Sequence, residues 1–304
     1  MEWIKQLKKL DFALLLTVLA LFIIGLFAID VATDSENFIG GDSSSYIFTQ
    51  LTAFAIGIVG MLIIIAIDYK TLGRYWKLIF ILSVISLIIV HIPGIGVVRG
   101  GSRRWVDLGF MDLQTSEIAK LGFVIAFAKF LSLKKDRINK PFDLAQILLF
   151  LMIPMGLIFA QPDLGQSIVF GVIAAGMIFV AGISLKYVFS IIGAGVLIFP
   201  IAWNFFMHDY QKSRIITFLN PMNDPLGEGY HALQSMITIG SGELSGKGLD
   251  AENTMTSLNY LPAQWTDFIF SVISEATGFI GAVTVLLLLG LMLARLLRDA
   301  KLAK

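Results

Sequence analysis

The 304 residues contain no cysteine, which excludes disulfides, thiolate metal sites and thiol nucleophiles together. Charge is scarce as well. Asp, Glu, Lys and Arg make up 15% of the chain and nearly cancel to a formal net charge of +1, so nothing calls for nucleic acid or an acidic partner. No cluster of metal-ligand spacing is legible, and the P-loop pattern GxxxxGK[ST] is missing. What is abundant is apolar surface: 57% hydrophobic residues lie far outside the usage of soluble domains, and the chain reads as an integral membrane protein.

A helix crosses a hydrocarbon core of about 30 Å with roughly 17 to 25 residues. Eight runs meet that length: 12–29, 47–67, 77–93, 117–133, 144–161, 164–182, 187–207 and 268–294. The fourth is the weakest, because it carries Glu117, Lys120 and Lys129. The first follows Lys5, Lys8 and Lys9 but is longer than a signal-peptide core, and no small-residue cleavage site follows it. The expected fold is therefore all-α, a single polytopic domain over 1–304 with about eight transmembrane helices. The basic N-terminus and the basic residues of the short loops and tail (Lys70, Arg74, Lys77; Lys134, Lys135, Arg137, Lys140; Lys186; Arg295, Arg298, Lys301, Lys304) fall on alternate sides as the count requires and place both termini in the cytoplasm.

Two outer segments depart from this pattern. One, 94–116, holds Arg99, Arg103 and Arg104 on the side where basic residues are usually depleted; the other, 208–267, is too long for a simple connector. In "GSRRWVDLGFMDLQTSEIAKLG" (101–122), glycines allow tight turns, Trp105 suits an interfacial depth, and Thr115-Ser116-Glu117 is placed to cap the next helix. Glu117 and Lys120 share a helix face, either as an interfacial ion pair or as part of a phosphate site with Arg103 and Arg104. In "QPDLGQS" (161–167), Pro162 ends one helix and Asp163 caps the next, a structural role. The segment 208–267 forms a large outer loop in which Tyr230 to Ile239 make a short interfacial helix and Gly240, Gly242, Gly246 and Gly248 a flexible loop around Lys247. It closes on "LPAQWTDFIF" (261–270), with Asp267 at the mouth of the last apolar run.

These four stretches, together with "RIITFLNPMNDPLGEGYHALQSMITIGSGELSGKGL" and "SVISEATGFIG", resemble in order and spacing the motifs of the SEDS peptidoglycan polymerases, the RodA, FtsW and SpoVE type. The resemblance runs from about residue 10 to 300. It implies a glycosyltransferase that polymerises lipid II on the outer face of the bacterial cytoplasmic membrane beside a class B penicillin-binding transpeptidase. Asp267 matches the family's essential carboxylate. Arg104, Trp105, Glu117 and Lys120 match its other motif residues, and Arg103, Lys212, Arg214, Gln234, Ser235 and Lys247 join them as candidate contacts to substrate and pyrophosphate. Sugar transfer with inversion needs a base for the acceptor hydroxyl and cations for the departing pyrophosphate, roles that Asp267 and the basic groups fit. No metal ligand set is implied, and a divalent cation (Mg or Mn) sharing the pyrophosphate stays open.

The chain departs from the family at Trp265, where histidine is frequent, at Glu275-Ala276, where paired acids are frequent, and at Glu243, where glycine is usual. Family members commonly have ten spanning helices, and the last two have no counterpart here, which leaves the activity of this shorter chain open. Two other classes compete: a flippase or transporter of lipid-linked precursors, which calls for mid-span ionisable groups or inverted repeats, and a non-catalytic scaffold for a transpeptidase, which does not need Asp267.

Overall fold

The computed structural model describes residues 10–33, 43–99, 102–109, 112–161, 163–207, 209–227, 229–249 and 251–302; Pro162, expected to end a helix, lies outside them. Its helices are α1 (Phe12–Thr33), α2 (Ser43–Ala66), α3 (Tyr69–Arg74), α4 (Trp76–Ile89), α5 (Thr115–Lys134), α6 (Pro141–Phe159), α7 (Leu164–Val180), α8 (Leu185–Ile201), α9 (Asp209–Leu219), α10 (Tyr230–Ser241) and α11 (Ile269–Leu302). Each of the eight expected apolar runs is one of these helices. α1, α2, α6, α8 with its continuation to Phe205, and α11 are long and apolar enough to cross a membrane; α4 and most of α7 are shorter apolar helices. α5 has the length but carries Glu117, Lys120, Lys129 and Lys134. The protein is thus a polytopic, mainly helical membrane protein. Its apolar side chains point outward as lipid requires: α2 buries no residue and exposes Leu51, Ile56, Val59 and Ile63.

The described chain forms two compact units, Ile63–Pro200 and the pairing of Met1–Leu62 with Ile201–Lys304. In the unit Ile63–Pro200, α4, α5, α6 and α7 close around one apolar core that includes Leu87, Phe123, Phe127, Ile147, Ile158 and Phe170, all fully buried. Phe80 stacks on Phe150 at 3.9 Å and Phe123 on Phe127 at 4.9 Å between ring centroids. α4 and α5 approach closely because Gly122 lies against Ser83: a Cβ at 122 would stand 2.0 Å from the Ser83 hydroxyl. Lys134 at the end of α5 bonds Asp143 and Gln146 of α6, and Gln161 donates to the Leu87 carbonyl over 2.9 Å, tying α6 to α4. Without these bonds buried polar groups would be left unmatched at the helix ends.

Residues 96–114 are not only turns. They fold into an antiparallel meander of β1 (Gly96–Arg99), β2 (Ser102–Asp107) and β3 (Asp112–Gln114), with a bulge between Val97 and Val98. β3 passes directly into α5. Gln114 is the residue before the helix and makes no side-chain cap, while the Thr115 and Ser116 hydroxyls are buried without partners, so the expected Thr-Ser cap is not formed. The chain arrives from a strand ladder, and the ladder rather than a side chain sets its entry.

In the other unit α1 packs along α11, and Asp11 meets Arg295 at 3.4 Å. α11 is two helical pieces joined at Gly278, whose φ of 68° and ψ of −166° break the helix about two and a half turns beyond its start. The glycine loop after α10 fills that break instead of moving freely. Lys247 N and Gly248 N donate to the carbonyls of Glu275 and Ala276, and Phe279 N and Ile280 N donate to the carbonyls of Glu243 and Leu244. The loop therefore satisfies both helix ends exposed by the break. Only glycine fits at the crossing, since a Cβ on Gly246 would lie 2.2 Å from the Ala276 carbonyl oxygen and one on Gly278 2.3 Å from Gly246 N.

Candidate active-site clusters

In the unit Ile63–Pro200, the meander, α5 and α7 assemble a polar cluster. Asp163 caps α7 as expected, accepting from Gln166 N at 3.1 Å. It does more than cap: Arg104 of β2 reaches it at 2.8 Å and Gln114 Nε2 at 3.2 Å. Lys120 Nζ lies 2.8 and 2.9 Å from the two oxygens of Glu117, and Gln166 Nε2 donates to Glu117 at 2.8 Å, which joins the two ion pairs through the first turn of α7. Asp163 is 7% exposed and Arg104 28%, whereas Glu117 is 52% exposed, so one pair is largely sheltered and the other open to solvent.

Arg103 and Arg104 differ in their surroundings. In the ladder Arg103 pairs with Val98 and Trp105 with Val97, which leaves Arg104 as the extra residue of the bulge, bonded to Asp163. Arg103 is exposed. The cluster of Arg104, Lys120, Asp163 and Glu117 carries two positive and two negative groups and is neutral as it stands. Arg104 Nε and Gln166 Oε1 are buried in it without a hydrogen-bond partner. Such groups are few in native proteins and mark places where a further oxygen or donor fits.

The second cluster gathers around α11. Asp267 lies in the turn before the helix, which starts at Ile269, and is exposed. The first helical bonds are accepted by the Phe268 carbonyl, so Phe268 and not Asp267 is the capping position. Among the described residues nothing hydrogen-bonds to the Asp267 carboxylate. Near it in sequence, Ser271 shares a 2.8 Å hydroxyl contact with Ser235 of α10. Gln234 on the same helix leaves Oε1 buried and unpartnered. Tyr46 meets Trp265 edge to face at 6.0 Å between ring centroids, so Trp265 is used in packing. Lys247 is spent on Glu275, at 2.8 Å. On α9, Lys212 lies 4.0 Å from Asp209 one turn away, and Arg214 is exposed. Neither reaches Asp267 through a described contact.

Glu275 was not foreseen as a functional residue. It is 1% exposed and accepts from Ser241 Oγ, Lys247 Nζ and Met255 N on one oxygen, and from Thr256 N and Oγ1 on the other, all between 2.7 and 2.9 Å. The one signal in the sequence was a carboxylate inside an apolar run, two turns beyond Asp267, where an unpartnered charge is too costly to keep. No group of three or more His, Asp or Glu among the described residues is arranged to hold a metal ion.

Residues 12–304 match the family described as cell cycle protein, of FtsW, RodA and SpoVE type. Stage V sporulation protein E of Bacillus subtilis (strain 168) is 36% identical over 296 residues, covering 95% of this chain and 79% of the relative. Peptidoglycan glycosyltransferase MrdB of Escherichia coli (strain K12) is 34% identical over 293 residues, 94% of this chain and 74% of the relative. Among solved structures, a chain of a peptidoglycan synthase complex that coordinates polymerization and crosslinking superposes with a TM-score of 0.74 at 27% identity, covering 95% of this chain and 77% of that one. The rod shape determining protein RodA of Thermus thermophilus gives 0.62 at 25% identity, with 95% and 74% covered. With the match running through every motif-bearing segment, from the meander to α11, this chain belongs to the FtsW, RodA and SpoVE family.

Proposed function

We propose that this protein is a peptidoglycan glycosyltransferase that joins lipid II units into glycan strands, with Asp267 as general base. In the reaction an acceptor 4-hydroxyl oxygen attacks the anomeric carbon of a lipid-linked donor. The bond from that carbon to the pyrophosphate oxygen breaks with inversion, the lipid pyrophosphate leaves with the electron pair, and the hydroxyl proton passes to a carboxylate. The observation that carries the assignment is the freedom of Asp267. Glu117, Asp163 and Glu275 are each held by two or more donors, whereas among the described residues nothing bonds the carboxylate of Asp267, the acid that matches the family's essential one.

Of the two cations in the meander cluster, Lys120 has the partner more easily displaced by a phosphate. Its partner Glu117 is half exposed, and such pairs contribute only about 0 to 1 kcal/mol, so exchange of Glu117 for a phosphate oxygen is cheap. Arg104, locked on the buried Asp163, instead offers its unpartnered Nε. A class B transpeptidase is the proposed partner and the bacterial cytoplasmic membrane the proposed location, with Asp267 on the extracytoplasmic side.

The test is glycan synthesis from lipid II in proteoliposomes, wild type against Asp267→Asn, with and without a transpeptidase partner. Polymer is expected from the wild type, with a loss of at least about 100-fold for the variant. Equal product from both would remove Asp267 from the chemistry. Lipid II crossing the bilayer without polymer would favour the transporter reading. A chelator arm, with Mg or Mn restored, reports on a divalent cation separately.

A further inference from the structure

Asp267 is exposed and unbonded, yet a general base has to stand within hydrogen-bond reach of one particular hydroxyl. What fixes it must act through the backbone on either side. The turn itself is closed by Thr266 N and Phe268 N, both donating to the Ala263 carbonyl. Its neighbour Gln264 is fully buried, and the side-chain nitrogen lies 3.1 Å from the Thr256 carbonyl oxygen, 3.0 Å from Asn259 Oδ1 and 2.9 Å from the Ala32 carbonyl oxygen at the end of α1. Thr256 in turn gives its amide and its hydroxyl to Glu275 at 2.9 and 2.7 Å. A continuous line of buried bonds thus runs from Glu275 through Thr256 and Gln264 into the turn that carries Asp267.

We infer that Glu275 is a positioning residue for Asp267, acting through Thr256 and Gln264. The inference rests on the assignment of Asp267 as the base. Glu275 sits on the short first piece of α11, before the Gly278 break, and that piece follows directly on the Asp267 turn, so the two are joined through the helix as well as through the loop. The loop 254–264 is clasped at Glu275 and the helix is anchored at the break by the 243–248 backbone, which leaves the Asp267 turn held at both ends. Only an acceptor on both oxygens serves here. Five hydrogen bonds from Ser241, Lys247, Met255 and Thr256 converge on the carboxylate, and an amide in its place would point an NH2 at donors.

The experiment compares wild type, Glu275→Gln, Glu275→Asp and Thr256→Val as full chains in proteoliposomes, reading glycan synthesis from lipid II and amide hydrogen exchange. Glu275→Gln is expected to lower kcat by about tenfold or more, since misplacement by an ångström costs up to about 100-fold, with KM changed by less than about twofold. Exchange over 254–268 accelerates, while 283–300 in the second piece of α11 stays as in the wild type. Glu275→Asp restores part of the loss. Thr256→Val, which removes one donor and keeps the fold if Glu275→Gln does not, moves both readouts in the same direction by less. Unchanged kcat in Glu275→Gln, or unchanged exchange over 254–268, overturns the inference, as does a loss of activity matched by faster exchange throughout α11. A wild type that makes no glycan overturns the polymerase reading, and the exchange comparison then decides by itself whether Glu275 holds the 254–268 segment.

Discussion

Replacing Asp163 separates two jobs that one side chain performs. It caps α7 through Gln166 N and neutralises Arg104 at 2.8 Å. Asparagine caps as well as aspartate, so Asp163→Asn keeps the first job and loses only charge; Asp163→Ala loses both. Loss of the cap costs about 1 kcal/mol. Breaking a fully buried pair costs about 3 to 5 kcal/mol, but Arg104 is 28% exposed and water recovers part of that, which leaves about 2 kcal/mol. The expected losses are then about 3 kcal/mol for alanine and about 1 to 2 kcal/mol for asparagine. In thermal unfolding of the detergent-solubilised protein, at about 2 °C per kcal/mol for a chain of this size, alanine lowers Tm roughly twice as far as asparagine. A double-mutant cycle with Arg104→Met should show a coupling of about 1 to 2 kcal/mol. Equal losses for Asn and Ala, or strict additivity with Arg104→Met, would refute the division of labour.

Two further substitutions test the broken helix. Gly278→Ala forces a Cβ to within 2.3 Å of Gly246 N at a residue with φ of 68°, and should cost about 3 kcal/mol or more, seen as a large fall in Tm; a fall of under a degree would mean that the loop does not fill the break. Glu243 sits at a φ of 49°, so Glu243→Gly relieves about 1 to 2 kcal/mol of strain, offset by about 0.4 to 1 kcal/mol of added freedom in the unfolded chain. A small rise in Tm is expected, and a loss of more than about 1 kcal/mol would show that the Glu243 side chain makes a contact worth more than the strain.

The spans were legible because length and apolarity alone decide what crosses a bilayer. All eight runs became helices, even α5, whose charges made it the weakest. Asp163 as a cap and the helix at Tyr230 were legible for a similar reason, as local signals satisfied within a few residues. The meander was not, since three short strands interrupted by glycines show no sustained alternation. Nor was the partner of Arg104: Gln114 and Asp163, which share its cluster, are 49 positions apart, and nothing in "GSRRW" tells one arginine from the other until the fold brings Asp163 to Arg104.

The sequence by itself determined a polytopic membrane helix bundle, the eight helices and the family, because hydropathy and motif order are properties of the chain read in line. Tertiary structure decided which charges are bound and which are free. It paired Arg104 with Asp163 and Lys120 with Glu117, spent Lys247 on Glu275, and left Asp267 unbonded at the end of a buried line of hydrogen bonds. Hydrogen bonds and ion pairs act over about 3 Å, and contacts that join residues 19 to 232 positions apart, such as Glu275 with Thr256 and Gln264 with Ala32, exist only once the chain has folded.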